Sequence, residues 1–335
     1  MQEENSSDQK KIIFCSGLGS TGSSAYLNLL QEYKGLKVID REFRLIVDPC
    51  GIIDLRNNLY RDWTYFRGDM ALRNFRKLTK SISKKGFGPY SLLNHSKSFP
   101  KFDSLIEDYI TSLVAVKYRG IWYGIDNIVS RLCKKLGIKH RAFYNSRWMY
   151  VANDISKEAF DNLTKLFLES LFFQSDGDEG VAVVEENLLG YFAEELSEML
   201  PHAKILNVIR DPLDVISDSI RVNWYAAPHK VEDYIKLQKV AYKKLIEKEI
   251  RYKKLGLYNK NIITVKFEDL IVDYEDVVSV VERFLQLERF EHLGHTNFIP
   301  SKSSQNVGIY NKYLNELDIT TIRKEFDFFY KYYEY

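Results

Sequence analysis

The chain is poor in cysteine and carries almost no net charge. Three cysteines in 335 residues, Cys15, Cys50 and Cys133, are widely spaced and odd in number. They suggest neither a disulfide framework nor a metal cluster, so a reducing cytoplasm is the expected compartment and no metal is expected. A formal charge of +2 excludes a broad field for nucleic acid, so any basic site must be local. No apolar run approaches the roughly 20 residues of a membrane-spanning helix. The start, MQEENSSDQKK, is polar and lacks the apolar core of a signal peptide. No internal repeat or low-complexity tract is visible.

What is present is the make-up of a globular α/β protein: 45% hydrophobic and 28% charged residues, with 23 tyrosines and 20 phenylalanines. Most of those rings are expected in the core, and some are available to line a cleft. Residues 11–16 (KIIFCS), 36–39 (LKVI), 181–185 (VAVVE), 203–209 (AKILNVI) and 261–266 (NIITVK) are continuous apolar runs. Strands buried on both faces of a parallel sheet have this pattern. Helical periodicity lies between and after them, at 23–33 and around 190–200, 214–223, 231–255 and 274–286. In the last, Tyr274, Val277, Val278, Val281, Phe284 and Leu285 mark one face. Alternating strands and helices predict a single α/β domain over 1–335 with a doubly wound parallel sheet of the P-loop type. Residues 55–175 interrupt the alternation. They read as a mostly helical insertion, a lid that covers the carboxyl edge of the sheet, where ligands of such folds bind.

Residues 12–33, IIFCSGLGSTGSSAYLNLLQEY, run from strand through a glycine and serine turn into a helix. Such a turn converges backbone N–H groups and the positive end of a helix dipole on an anion. Gly17, Gly19 and Gly22 allow close backbone approach, and Ser20, Thr21, Ser23 and Ser24 add hydroxyls. The spacing nearly matches the nucleoside-triphosphate loop, but Ser23 stands where its lysine belongs. The bland alternative is a tight turn with serine caps. A second stretch, AKILNVIRDPLDVISDSIRVNW (203–224), sets Arg210 at a strand's carboxyl end, with Asp211 and Pro212 opening a helix. Arg210 can fork onto a phosphate, and Ser217 or Ser219 can reach the same group. Alternatively, Arg210 pairs with a carboxylate and the serines are ordinary helix residues.

Together these motifs resemble the sulfotransferases that use 3′-phosphoadenosine-5′-phosphosulfate (PAPS). That family's 5′-phosphosulfate loop is similar to Ser20-Thr21-Gly22-Ser23-Ser24, and its 3′-phosphate motif to Arg210-Asp211-Pro212. The segment VKFEDLIVDYEDVVSVVERFLQL resembles a late family motif through Glu268, Asp269, Leu270, Phe284 and Leu285. FIPSKSSQNVGIYNKY (298–313) resembles the loop that closes over the nucleotide, with Ser304, Asn306 and Gly308 as contacts. REFRLIVDPCGIIDL (41–55) is similar to bacterial members that modify surface polysaccharides. Two positions depart from the pattern. Ser20 replaces the basic residue of the loop, and Asp218 stands eight residues after Arg210, where the family has a serine.

The resemblance implies sulfuryl transfer from PAPS as co-substrate, without metal, to a hydroxyl acceptor that is a glycan or glycolipid. It implies Glu42 as base, with His95 second because steroid- and phenol-type relatives use histidine; Asp48 and Asp54 are other nearby carboxylates. Arg44 is the expected substitute for the missing loop cation, with Lys302 or no substitute as alternatives. Trp63, Trp122, Tyr123, Trp148 and Trp224 are candidates for stacking on sugar rings. Arg67, Lys117, Arg119, Arg141 and Arg147 are candidates for an acidic glycan. The rival readings are a sulfotransferase-like nucleotide or glycan binder without activity, which Ser20 favours, and a P-loop small-molecule kinase.

Overall fold

A computed structural model describes residues 10–86, 90, 92–120, 132, 135–137, 147–174, 180–222, 228 and 230–335. Among the described residues there are seven strands: β1 Lys11–Gly17, β2 Lys37–Glu42, β3 Val114–Gly120, β4 Arg147–Ala152, β5 Val181–Glu185, β6 Lys204–Ile209 and β7 Ile262–Lys266. Five of them form one sheet in the order β2-β5-β1-β6-β7, every neighbouring pair parallel. The chain divides into two units, residues 1–44 with 175–335, and residues 45–174.

The first unit is the parallel sheet with its helices. Strands β1, β5 and β6 are buried almost throughout, as their continuous apolar runs require. Alternate residues serve opposite faces. Ile13, Cys15, Val183, Leu206 and Val208 pack with the helices Ser23–Leu30 and Tyr274–Leu285 through Leu29, Leu30, Val281 and Leu285. On the other face, Ser16 Oγ accepts from Gly190 N at 3.1 Å, and Asn207 Nδ2 faces Glu249 Oε1 of the helix Val231–Lys254 at 3.5 Å. Helices on both faces make this a doubly wound α/β fold. The helix Pro212–Arg221 starts as its sequence dictates. Pro212 needs no N–H partner in the first turn, and the Asp211 carboxylate caps Leu213 N at 2.9 Å, a contact that contributes about 1 kcal/mol.

The second unit contains the helices Tyr65–Ser83, Phe102–Ser112 and Lys157–Phe172. Its core is aromatic. Tyr109 stacks on Phe167 at 4.6 Å and shares a hydrogen bond with Thr164 at 2.7 Å. A buried bidentate pair joins Arg56 to Asp161 at 2.8 and 2.9 Å. The unit is less helical than its sequence suggests, because β3 and β4 pair antiparallel. Most residues of β3 are exposed, so this strand has no buried apolar run to betray it.

Candidate active site

In a parallel sheet every strand ends on the same edge, and here all five deliver a residue to one cavity of about 490 Å³. Glu42 is the last residue of β2 and Glu185 the last of β5. Arg210 follows β6, Phe267 follows β7, and the turn after β1 contributes Gly19, Ser20, Gly22, Ser23 and Ser24. Asn187, Asp218, Arg221, Phe298, Ser303 and Asn306 complete much of the wall.

The turn after β1 is conformationally exacting. Gly19, Ser20 and Gly22 have φ of 84°, 54° and 93°. A Cβ at Gly22 would lie 2.4 Å from the Phe267 ring, so both backbone and space demand glycine. Thr21 is buried, and its Oγ1 accepts from Leu18 N at 3.3 Å, which braces the turn from inside. Gly22 caps the helix without a side-chain bond, leaving first-turn N–H groups for another acceptor.

Arg210 is a cation that touches this loop. Its Nη1 donates to the Ser20 carbonyl at 2.9 Å and lies 3.5 Å from Asp218 Oδ2. Its Nη2 donates to the Asn306 carbonyl at 2.6 Å. The guanidinium lies 5.0 Å from the Phe267 ring centroid, a cation–π contact, and its buried Nε has no hydrogen-bond partner among the described residues. Phe267 therefore packs against both Gly22 and Arg210, and Asp211 N donates to Glu268 Oε1 at 2.9 Å beside it.

Acidic groups share the cavity. Ser23 Oγ donates to Glu185 Oε1 at 2.8 Å, and Ser24 Oγ approaches the same oxygen at 3.3 Å. Burial pushes the Glu185 carboxyl up, the Ser23 hydroxyl opposes that, and the Glu42 charge adds to it. Glu42 accepts from Asn187 Nδ2 and pairs with Arg44 Nη1 at 3.1 Å.

The segment after Phe298 is tied down at three points. Buried Glu32 accepts from Asn297 N at 2.9 Å, Phe298 N at 2.8 Å, Tyr274 OH at 3.0 Å and His292 Nε2 at 3.0 Å. Arg210 holds Asn306, and buried Asp214 accepts from Gly308 N at 2.8 Å and Tyr310 N at 3.2 Å.

Several residues singled out from sequence point elsewhere. Ser217 Oγ donates to the Leu213 carbonyl at 2.7 Å and Ser219 pairs with Tyr234 OH at 2.8 Å, both buried. One residue turns a helix by about 100°, so the residue between them, Asp218, faces the cavity instead. Ser304 Oγ donates to the Ser301 carbonyl, and Gly308 serves Asp214 through its N–H. Arg44 Nη1 reaches Glu42. His95 belongs to the second unit, where it is buried against Phe99 and Phe102. In that unit Lys117 Nζ and the Arg119 guanidinium stand 4.5 and 4.2 Å from the Trp148 ring centroid, and exposed Trp63 meets Tyr65. Cys133, Trp122, Tyr123, Arg141 and Trp224 lie outside the described residues, as does the Arg147 side chain.

Glu185, Asn187, Arg221, Phe267 and Phe298 went unread in the sequence. The acid that ends VAVVE was the available signal for Glu185, since strand ends of a parallel sheet are where ligands bind.

Residues 148–292 match the family model described as the sulfotransferase family. The matched segment is less than half of the chain. It spans β5, β6 and β7, and with them Glu185, Arg210, Asp218 and Phe267. The loop after β1 lies before the matched segment, and the Arg210–Ser20 bond joins the two. Among solved structures, the sulfotransferase domain of the Synechococcus PCC 7002 olefin synthase is 11% identical. It covers 97% of this chain and 98% of its own, with a TM-score of 0.45. Sulfotransferase STF9 from Mycobacterium avium is 12% identical over 97% of this chain and 76% of its own, with a TM-score of 0.41. No curated protein matches the chain. No helix among the described residues is long and apolar enough to cross a membrane, and no group of three metal-ligating side chains occurs among them.

Proposed function

We propose that the protein transfers a sulfuryl group from PAPS to the hydroxyl of a carbohydrate acceptor, a glycan or glycolipid, in the cytoplasm. One observation carries the reading: Gly22 and Arg210, from the two phosphate motifs, line a single cavity. The helix N-terminus with its glycine turn suits the 5′-phosphosulfate, and Arg210 with Arg221 suits the 3′-phosphate. The unpartnered Arg210 Nε leaves one buried donor for a ligand.

In this reading the acceptor oxygen attacks sulfur as the bond from sulfur to the 5′-phosphate oxygen breaks. The products are the sulfate ester and 3′,5′-adenosine bisphosphate. Glu42 takes the acceptor proton, Arg44 and Asn187 hold its carboxylate in place, and the loop N–H groups steady charge on the departing oxygen. Arg210, at the Ser20 carbonyl, brings the positive charge that a loop lysine would otherwise supply. Within residues 55–175, Trp148, Lys117 and Arg119 form a basic aromatic cluster of a kind suited to an acidic carbohydrate.

A second reading, a P-loop kinase, is favoured by Ser24 facing Glu185 at the tip of the strand beside β1, an arrangement of hydroxyl and acid suited to magnesium. Calorimetry with 3′,5′-adenosine bisphosphate separates them. Tight binding in the presence of a chelator supports the sulfotransferase. Binding of a nucleoside triphosphate only with magnesium supports the kinase. Transfer of radiolabelled sulfate from PAPS to a glycan panel then separates an enzyme from an inactive binder.

A further inference from the structure

The arginine end of the cavity holds its own counter-ion. Asp218 Oδ1 accepts from Arg221 Nε at 3.0 Å and Nη2 at 2.6 Å, while Oδ2 lies 3.5 Å from Arg210 Nη1. All three residues line the cavity. The Arg210 side chain is 4% exposed and two of its nitrogens are already spent on the Ser20 and Asn306 carbonyls. The helix offers no hydroxyl here, since Ser217 and Ser219 are bonded to Leu213 and Tyr234. What it presents is a carboxylate, which accepts hydrogen bonds but cannot donate one when ionised. A sugar hydroxyl can donate to it. An ionised phosphate is repelled by it and must compete with it for both arginines.

We propose that Asp218 sets nucleotide specificity by acting as an internal competitor of the 3′-phosphate. This rests on the sulfotransferase reading and deepens it. The local charge of Arg210, Arg221 and Asp218 is +1, and it becomes +2 when the carboxylate is removed. The cavity therefore discriminates weakly between a ribose bearing a 3′-phosphate and one bearing a 3′-hydroxyl.

The test is calorimetric titration of 3′,5′-adenosine bisphosphate and adenosine 5′-monophosphate into the wild type, Asp218→Asn and Asp218→Ser. Asn keeps the oxygen that receives Arg221, and Ser supplies a donor. The wild type should bind the two nucleotides within about tenfold of each other. Both variants should bind the bisphosphate at least tenfold more tightly, with the monophosphate changed less than threefold. A merely structural role would move both nucleotides together, and that result overturns the proposal. So does weaker bisphosphate binding in both variants, which would make Asp218 an organiser of the arginines. Absence of binding by either nucleotide to all three proteins overturns the sulfotransferase reading itself, and the proposal with it.

Discussion

Arg210 and Ser20, 190 positions apart in the chain, are joined by a 2.9 Å hydrogen bond from guanidinium to carbonyl. The bond fixes a strained turn residue and places positive charge at the loop after β1. Arg210→Ala should lower affinity for 3′,5′-adenosine bisphosphate by about tenfold, since Asp218 already offsets part of the arginine charge there. Arg210→Lys should not restore it, because an ammonium cannot span Ser20, Asn306 and a phosphate at once. Calorimetry on both variants checks this.

Gly22→Ala should cost about 3 kcal/mol of unfolding free energy, from a left-handed φ combined with overlap on the Phe267 ring. Gly22→Ala paired with Phe267→Leu should recover only the steric part. Urea denaturation of the single and double variants separates the two causes.

Nucleotide binding should weaken as pH rises through the elevated value of Glu185. Its protonated form is neutral beside an anion, its ionised form is not, and burial favours the neutral one. Binding of the bisphosphate should therefore take up protons. Glu185→Gln should bind more tightly above that value and lose this component of the pH dependence. Calorimetry in two buffers of different ionisation enthalpy reads the proton uptake directly.

Glu42→Gln should reduce turnover by 10² to 10⁴ or so while leaving bisphosphate affinity within about threefold, the pattern of a lost general base. Arg44→Ala should act through Glu42, given the 3.1 Å pair. The double variant should then be no slower than Glu42→Gln alone. Unchanged turnover in Arg44→Ala would exclude any role for it.

Glu32→Gln should lose about 3 kcal/mol, since a buried carboxylate that receives four donors is replaced by a group able to receive fewer. Burial alone would push the Glu32 carboxyl up, but the Phe298 and Asn297 N–H groups, His292 and Tyr274 more than offset it and hold it below its usual value. Its contribution is thus complete above the unfolded value, about pH 4.3, and is lost as pH falls through the lower folded value. Denaturation curves of the wild type and variant should converge in that acid range.

The sequence by itself determined the buried strands, the helices between them and the two motifs that contain Gly22 and Arg210. Those features are local. A strand covered on both faces has to be continuously apolar, and VAVVE and AKILNVI say so without reference to the rest of the chain. A turn that approaches an anion has to be rich in glycine, and a helix opening on Asp211-Pro212 carries its own cap. The exposed strand β3 escaped because neither face buries an apolar row. Tertiary structure alone decided which side chains share the cavity. Parallel pairing brings the ends of strands far apart in sequence to one edge, which sets Glu185 beside Ser23 and Phe267 beneath both Gly22 and Arg210. The 100° step of a helix decided that Asp218 and not its serine neighbours faces Arg210. Such relationships follow from strand order and helix phase, which no short stretch of sequence encodes.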